Sequence, residues 1–373
     1  MRFSYPRTST LALSLRRKLF PLCLLVSLAT VSSAALSVAQ VPPSVDFDGD
    51  GTSELVTVTA ATSGLQWNAV GSAASTEVLN TVFGESGDLY APGCWLQPGV
   101  PQVGVVRFDS KRGVLNWRTV VDGSVVSQRS FGGNGDLIFT GADFDGNGIA
   151  DAALVRVRNK KFLWRISLDH LADSPGKVRS FTLGAEGDRA FILNVNGEYY
   201  WFGAFGKGGG SRAVASVRSI FSKKVSRVRG IAGGLTEDTR PRPYSVLDAD
   251  GNAMLVFIEP EGGDSRISAY SQEGKRIFRK LVAGSGAVAI GDYLPSEPGE
   301  EVALQVSTGV SLVNPSTGTV ETRAAASGTI VGGVNSHLVK LTPTPTAVPT
   351  TSPTPVPSVA PTATVAATPT VRR

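Results

Sequence analysis

One pattern recurs along this chain, and its length restricts the fold more than any other feature. In its first copy, Asp46-Phe47-Asp48-Gly49-Asp50-Gly51 leads into the alternating run Leu55-Val56-Thr57-Val58, then Trp67, then Phe83-Gly84-Glu85-Ser86-Gly87-Asp88. A later copy runs Asp143-Phe144-Asp145-Gly146-Asn147-Gly148, Ala153-Leu154-Val155, Trp164 and Leu183-Gly184-Ala185-Glu186-Gly187-Asp188, and the Asp-to-Trp offset is 21 in both. Between them, Val103-Gly104-Val105-Val106-Arg107, Trp117 and Phe131-Gly132-Gly133-Asn134-Gly135-Asp136 keep the strands and lose the acidic loop. Weaker copies follow at Phe191 to Trp201, at Asp248-Ala249-Asp250-Gly251-Asn252, and at Gly291-Asp292 with Glu301-Val302-Ala303-Leu304. Unit starts near 46, 95, 143, 191, 248 and 292 give a spacing of about 45 to 55 residues, the size of a four-stranded propeller blade.

The expected fold is therefore all-β, a β-propeller of about six four-stranded blades. Seven stay open if Arg189 to Leu247 hides another. Thr329 to Leu341 is expected to complete the first blade, so that no long strand edge is left unpaired. The recurrent tryptophans read as packing between blades and the Gly-Asp runs as tight turns.

Both ends differ from this body. Residues 1–39 carry Arg2, Arg7, Arg16, Arg17 and Lys18 ahead of an apolar run from Leu19 to Val31 and a small-x-small sequence at Ser37-Val38-Ala39, the pattern of a signal peptide cleaved after Ala39. The run is shorter than the ~20 residues a bilayer span needs. The chain is thus expected to be exported, whether secreted, periplasmic or at a cell surface, with no transmembrane segment after cleavage; Arg16-Arg17 leaves the export route open. Residues 40–341 form the repeat domain. Residues 342–373 are rich in Pro and Thr and read as a disordered tail or stalk.

The whole chain has 36 Lys+Arg against 31 Asp+Glu, and five of the bases belong to the leader, so the mature chain is formally neutral. That removes the general electrostatic case for nucleic acid. Only Cys94 survives cleavage, which excludes an intramolecular disulfide.

The acidic loops carry the most chemistry. The pattern Asp-x-Asp-Gly-Asp/Asn-Gly-x-x-Asp/Glu places oxygen donors at positions one, three, five and nine, and its glycines let the backbone curl until alternate side chains converge. In the first loop the expected metal ligands are Asp46, Asp48, Asp50 and Glu54 with the Thr52 carbonyl. In the second they are Asp143, Asp145, Asn147 and Asp151 with the Ile149 carbonyl. Hard oxygen donors without His or Cys point to Ca2+, since carboxylates crowded at ~4 Å otherwise repel by about 1 kcal/mol per pair even in water. The opening resembles an EF-hand, but position twelve is Thr57 or Leu154 rather than Glu. A third candidate, Asp248, Asp250 and Asn252, has Ala253 and Val256 where the second glycine and closing acid belong, and tight binding is not expected there. The loop after Asp292 carries Pro295 and Pro298 and is expected to hold its shape without metal.

These loops resemble those of FG-GAP/VCBS repeat proteins, the integrin-α-like propellers, over about residues 40–341. The resemblance implies a calcium-binding propeller outside the cell with a role in adhesion, recognition or scaffolding, its partner an unknown macromolecule, protein or polysaccharide. No catalysis is expected. His170 and His337 are the only histidines, His170 reads as a surface or turn residue, and no nucleophile elbow or zinc-type His pair is present. The alternative is a secreted propeller that binds or cleaves polysaccharide. It draws on the basic stretch Lys207, Arg212, Arg218, Lys223, Lys224, Arg227, Arg229, Arg240 and Arg242, which otherwise reads as an amphipathic strand with its charges outward. Gly208-Gly209-Gly210 reads as a hairpin tip.

Overall fold

The structure is a computed structural model that describes residues 45–338, apart from 72–75, 122, 196–198, 208–212, 232–242 and 325–326. The predicted leader and tail lie outside the described residues. Among those residues every regular element is a strand, and the strands assemble into six antiparallel sheets.

Blade one contains β1 (Leu55–Ala61), β2 (Gly64–Val70) and β3 (Glu77–Val82). Blade two contains β4 (Leu89–Tyr90), β5 (Val103–Asp109), β6 (Val114–Val121) and β7 (Ser124–Gly133). Blade three is β8 (Leu137–Ala142), β9 (Asp151–Arg158), β10 (Lys161–Ser167) and β11 (Val178–Ala185), and blade four is β12 (Arg189–Val195), β13 (Tyr199–Lys207), β14 (Ala213–Arg218) and β15 (Ser226–Ile231). Blade five is β16 (Tyr244–Leu247), β17 (Ala253–Glu261), β18 (Asp264–Tyr270) and β19 (Arg276–Ala283), and blade six is β20 (Val288–Gly291), β21 (Glu301–Val306), β22 (Gly309–Val313) and β23 (Val320–Arg323). The segment from Arg189 to Leu247 supplies blade four and the first strand of blade five, so the propeller has six blades rather than seven.

Blade one takes its first strand from the far end of the chain. Strand β24 (Thr329–Val331) pairs with β1 through Val56↔Val331, Thr57↔Ile330 and Val58↔Thr329, as the edge-pairing argument expects. The following strand does something the sequence does not signal: β25 (Asn335–Leu338) leaves blade one and pairs with β8, giving blade three a fifth strand.

Packing shows that the sheets form a ring. Each of the six hydrophobic clusters spans two neighbouring blades. One joins Val56, Val58 and Trp67 to Val103 and Val105, and another joins Trp117 and Phe131 to Ile138 and Leu154. The last joins Ala289, Tyr293, Leu294 and Leu312 of blade six to Ile330 of β24, and it is the smallest of the six. The alternation in β2, β6 and β10 buries Trp67, Trp117 and Trp164 completely. Each indole N–H donates to the carbonyl just before a Gly-x-x-Gly-Asp turn, Trp67 to Phe83 (2.8 Å), Trp117 to Phe131 (2.8 Å) and Trp164 to Leu183 (3.1 Å). In each turn the Asp carboxylate accepts the N–H three residues earlier, from Glu85, Gly133 and Ala185. The packing and turn roles read from the sequence are thus the observed ones.

The phase of the repeat differs from the one the sequence suggests. Neither acidic loop leads into the first strand of its sheet: residues 143–150 join β8 to β9, and the first loop enters β1, the second strand of a sheet whose first strand β24 comes from the other end of the chain. A sheet begins one strand earlier than the conspicuous motif because the first strands carry no signature of their own and β4, β16 and β20 are also short.

Candidate metal centre

In an antiparallel four-stranded meander, the first-to-second and third-to-fourth connections leave on the same face. The second acidic loop and the turn after β10 therefore emerge there, and the first loop, which enters β1 as the second strand of its sheet, lies at the corresponding end.

In the first loop, oxygen atoms of Asp46, Asp48, Asp50 and Glu54 all lie within 4.8 Å of one another. The backbone makes this possible at Gly49 (φ 77°) and Gly51 (φ 91°), a region open to glycine at no steric cost. Their N–H groups turn inward and donate to Asp46 at 2.7 and 3.0 Å. Asp48 accepts from the Asp50 N–H, and Asp50 accepts from the Thr52 N–H and hydroxyl. Glu54 is fully buried, with one oxygen accepting the Phe47 N–H and the other, Oε1, buried without a hydrogen-bond partner. Burial, reinforced by the neighbouring Asp carboxylates, pushes the Glu54 carboxyl up to about 8, and Asp46 is raised for the same first reason.

The second loop brings together Asp143, Asp145 and Asp151 within the same limit. Asp143 accepts from the Gly146 and Gly148 N–H groups at 2.7 and 2.5 Å, and burial raises its carboxyl to about 6. Asp151 accepts from Phe144 N–H at 2.8 Å and from Asp169 N–H at 2.7 Å, while Oδ1 of Asp145 is buried and unpartnered. Asn147 stands at its expected position with its oxygen accepting the Ile149 N–H (2.8 Å) and its amide donating to Asp169 (2.6 Å). Asp169, from the turn after β10, is thus a fourth acid beside this loop. Sequence reasoning missed it because it lies 18 residues beyond Asp151 in a turn with no repeat partner. Thr57 and Leu154 lie inside β1 and β9, so neither loop ends as an EF-hand.

Blade six shows what happens where the loop pattern is lost. Glu301 opens β21 in the register of Glu54 and Asp151, and its oxygens accept from Tyr293 N–H (2.8 Å), Leu294 N–H (3.1 Å) and the Asn314 amide (2.7 Å). Protein donors satisfy it fully. At Asp248 the carboxylate accepts from Asp250 N–H, Asn252 N–H and the Asn252 side chain in an exposed turn, and no third cluster of three acids occurs among the described residues.

His170 lies in a turn, as read from the sequence, but it is buried rather than at the surface. It sits edge-on to Trp117 with Nδ1 2.9 Å from the Ser167 hydroxyl, and burial lowers its basicity to about 4. Of the basic stretch, Arg218 covers the Phe181 ring at 4.0 Å, while Lys223, Lys224 and Arg227 are exposed. Val225 precedes β15 and is itself exposed, so the expected amphipathic alternation does not extend to it. The side chains of Lys207, Arg229 and His337, and residues 208–212, 240 and 242, lie outside the description. Cys94 is a buried free thiol.

No protein-family model and no curated protein sequence matches this chain. Solved structures do. Prolyl oligopeptidase B from Galerina marginata is 12% identical over 74% of this chain and 41% of its own, with a TM-score of 0.41. TolB from Acinetobacter baumannii is 15% identical over 62% and 64%, with a TM-score of 0.28, and the AfRom2 CNH domain is 11% identical over 73% and 86%, with a TM-score of 0.34. The chain spans under half the length of the prolyl endopeptidases it matches. At these values none of the neighbours' activities extends to this chain.

Proposed function

We propose that this protein is an exported, non-catalytic propeller of the FG-GAP/VCBS kind, whose two acidic loops hold calcium and whose ring serves adhesion, recognition or scaffolding. The observation that carries the reading is the buried, unpartnered Glu54 oxygen inside a ring of three further carboxylates. A buried carboxylate oxygen without a donor costs stability, and the cost persists only where something absent from the chain itself meets it. An all-oxygen donor set on a glycine-bent loop fits Ca2+ and does not fit zinc or copper.

Asp46, Asp48, Asp50 and Glu54 would hold one ion, and Asp143, Asp145, Asn147 and Asp151 the other, with the Thr52 and Ile149 carbonyls. Calcium supplies positive charge and oxygen coordination there, and the chain supplies position. Each loop is tied to the preceding blade by the N–H of the residue before its closing acid, Ser53 to the Asp292 carbonyl (2.7 Å) and Ala150 to the Cys94 carbonyl (2.8 Å). The non-catalytic reading is supported by the burial of His170 against aromatic rings and by the loops' claim on the best-organised acids. Export rests on residues 1–39.

Thermal melts of the mature chain with calcium and with excess chelator test the reading. The expected result is a melting temperature lowered by chelation and restored by calcium but not by an equal concentration of magnesium. An identical melt in all three conditions would overturn it.

A further inference from the structure

The seam between blades six and one, where the two ends of the ring meet, gathers three buried polar atoms without partners. They are Glu54 Oε1, Asp292 Oδ1 and Tyr293 Oη. Asp292 and Ser53 are in direct contact, the Ser53 N–H donating to the Asp292 carbonyl at 2.7 Å and the Asp292 N–H to the Ser53 hydroxyl at 3.1 Å. Asp292 feels the charge of Asp50, and the Tyr293 hydroxyl feels that of Glu300 and Glu301 first and of Glu54 after them. At the corresponding contacts elsewhere the carbonyl belongs to Cys94, which meets Ala150 N–H, or to Leu247, which meets Glu300 N–H. Between blades three and four the carbonyl belongs to Asp143, which meets Tyr200 N–H at 2.8 Å, but Asp143 already serves its own acidic loop, whereas Asp292 belongs to no acidic cluster of its own blade among the described residues.

We propose that Asp292, which lies outside the ring of four acids within 4.8 Å of one another, completes the coordination shell of the first-loop ion from across the seam through a bound water, so that calcium latches the ring shut. The proposal rests on the calcium reading of that loop. Calcium takes six to eight oxygens, more than the four acids and one carbonyl of the loop offer as single donors. A fifth acid placed beside four others raises the repulsion among them unless a cation is shared. The seam also has the most to gain, because its hydrophobic cluster is the smallest of the six and the two ends of the ring are joined there by no intervening chain.

The test combines calcium titration calorimetry with hydrogen exchange on the mature chain. Asp292→Asn is expected to weaken one of two calcium sites by about tenfold or more and leave the other unchanged. Chelation of the wild-type chain, a measurement that needs no variant, is expected to speed exchange in β24 and β20. If the wild-type chain binds calcium and Asp46→Asn abolishes one site, but Asp292→Asn titrates as wild type and exchange in β24 ignores calcium, the latch is overturned and the calcium reading stands. If the wild-type chain binds no calcium, the reading itself falls.

Discussion

At the residue scale the acids of the two loops set a pH dependence whose sign can be worked out. In the folded, calcium-free chain Glu54 keeps its proton up to about 8 against 4.5 for the ordinary side chain, and Asp143 up to about 6 against 3.8. Between those values the folded state binds more protons than the unfolded one, so stability is present at low pH and is lost as pH rises. Calcium-free protein is therefore expected to melt at a higher temperature near pH 5 than near pH 8. With saturating calcium, where the ion replaces the proton, that decline should shrink or reverse. Differential scanning fluorimetry across this range checks both arms, and a calcium-free melt that rises steadily toward pH 8 would contradict the burial of these groups. The loop acids were legible in the sequence because spacing and glycine geometry alone make them converge. Asp169 and Asp292 were not, since Asp292 reaches the first loop from 239 residues away and only the folded ring brings it there.

At the scale of the element, the Trp-to-carbonyl bond and the Gly-x-x-Gly-Asp turn act as one unit repeated in three blades. Truncating Trp117, which is wholly buried and touches Trp95 and His170, is expected to cost about 3–5 kcal/mol in chemical denaturation. The two glycines of a turn are not equivalent. A Cβ at Gly132 would meet Leu154 Cδ2 at 2.9 Å and Leu115 Cδ1 at 3.0 Å, whereas one at Gly135 would meet nothing within 4 Å. Both residues have positive φ, so Gly135→Ala should cost about 1–2 kcal/mol from backbone strain alone. Gly132→Ala should cost more, and equal losses would show that the Leu154 and Leu115 side-chain ends turn aside to accept the methyl group. These strands and turns were readable from alternation and glycine placement. The phase of the blades was not, because the short first strands β4, β16 and β20 leave the motif-bearing loop as the visible start of each unit.

For the whole molecule, closure depends on residues far from either acidic loop. Ile330 is 3% exposed and joins the cluster between blades six and one. Ile330→Asp would bury an unpaired charge and strip β24 from β1. The expected outcome is loss of cooperative melting and oligomers on size-exclusion chromatography, since the freed β1 edge is open to pairing between chains. A monomeric, cooperatively melting variant would contradict the closing role of β24. That role could be inferred in advance from the need to cover an edge, but the departure of β25 to β8 could not, because one short strand carries no information about which of several exposed edges it will join.

Native mass spectrometry of the mature chain in calcium reads the occupancy of both loops at once. Two calcium ions per chain are expected, one in Glu54→Gln, one in Asp143→Asn and none in the double variant. A wild-type chain that stays metal-free at millimolar calcium, or a double variant that keeps both ions, would contradict the calcium reading.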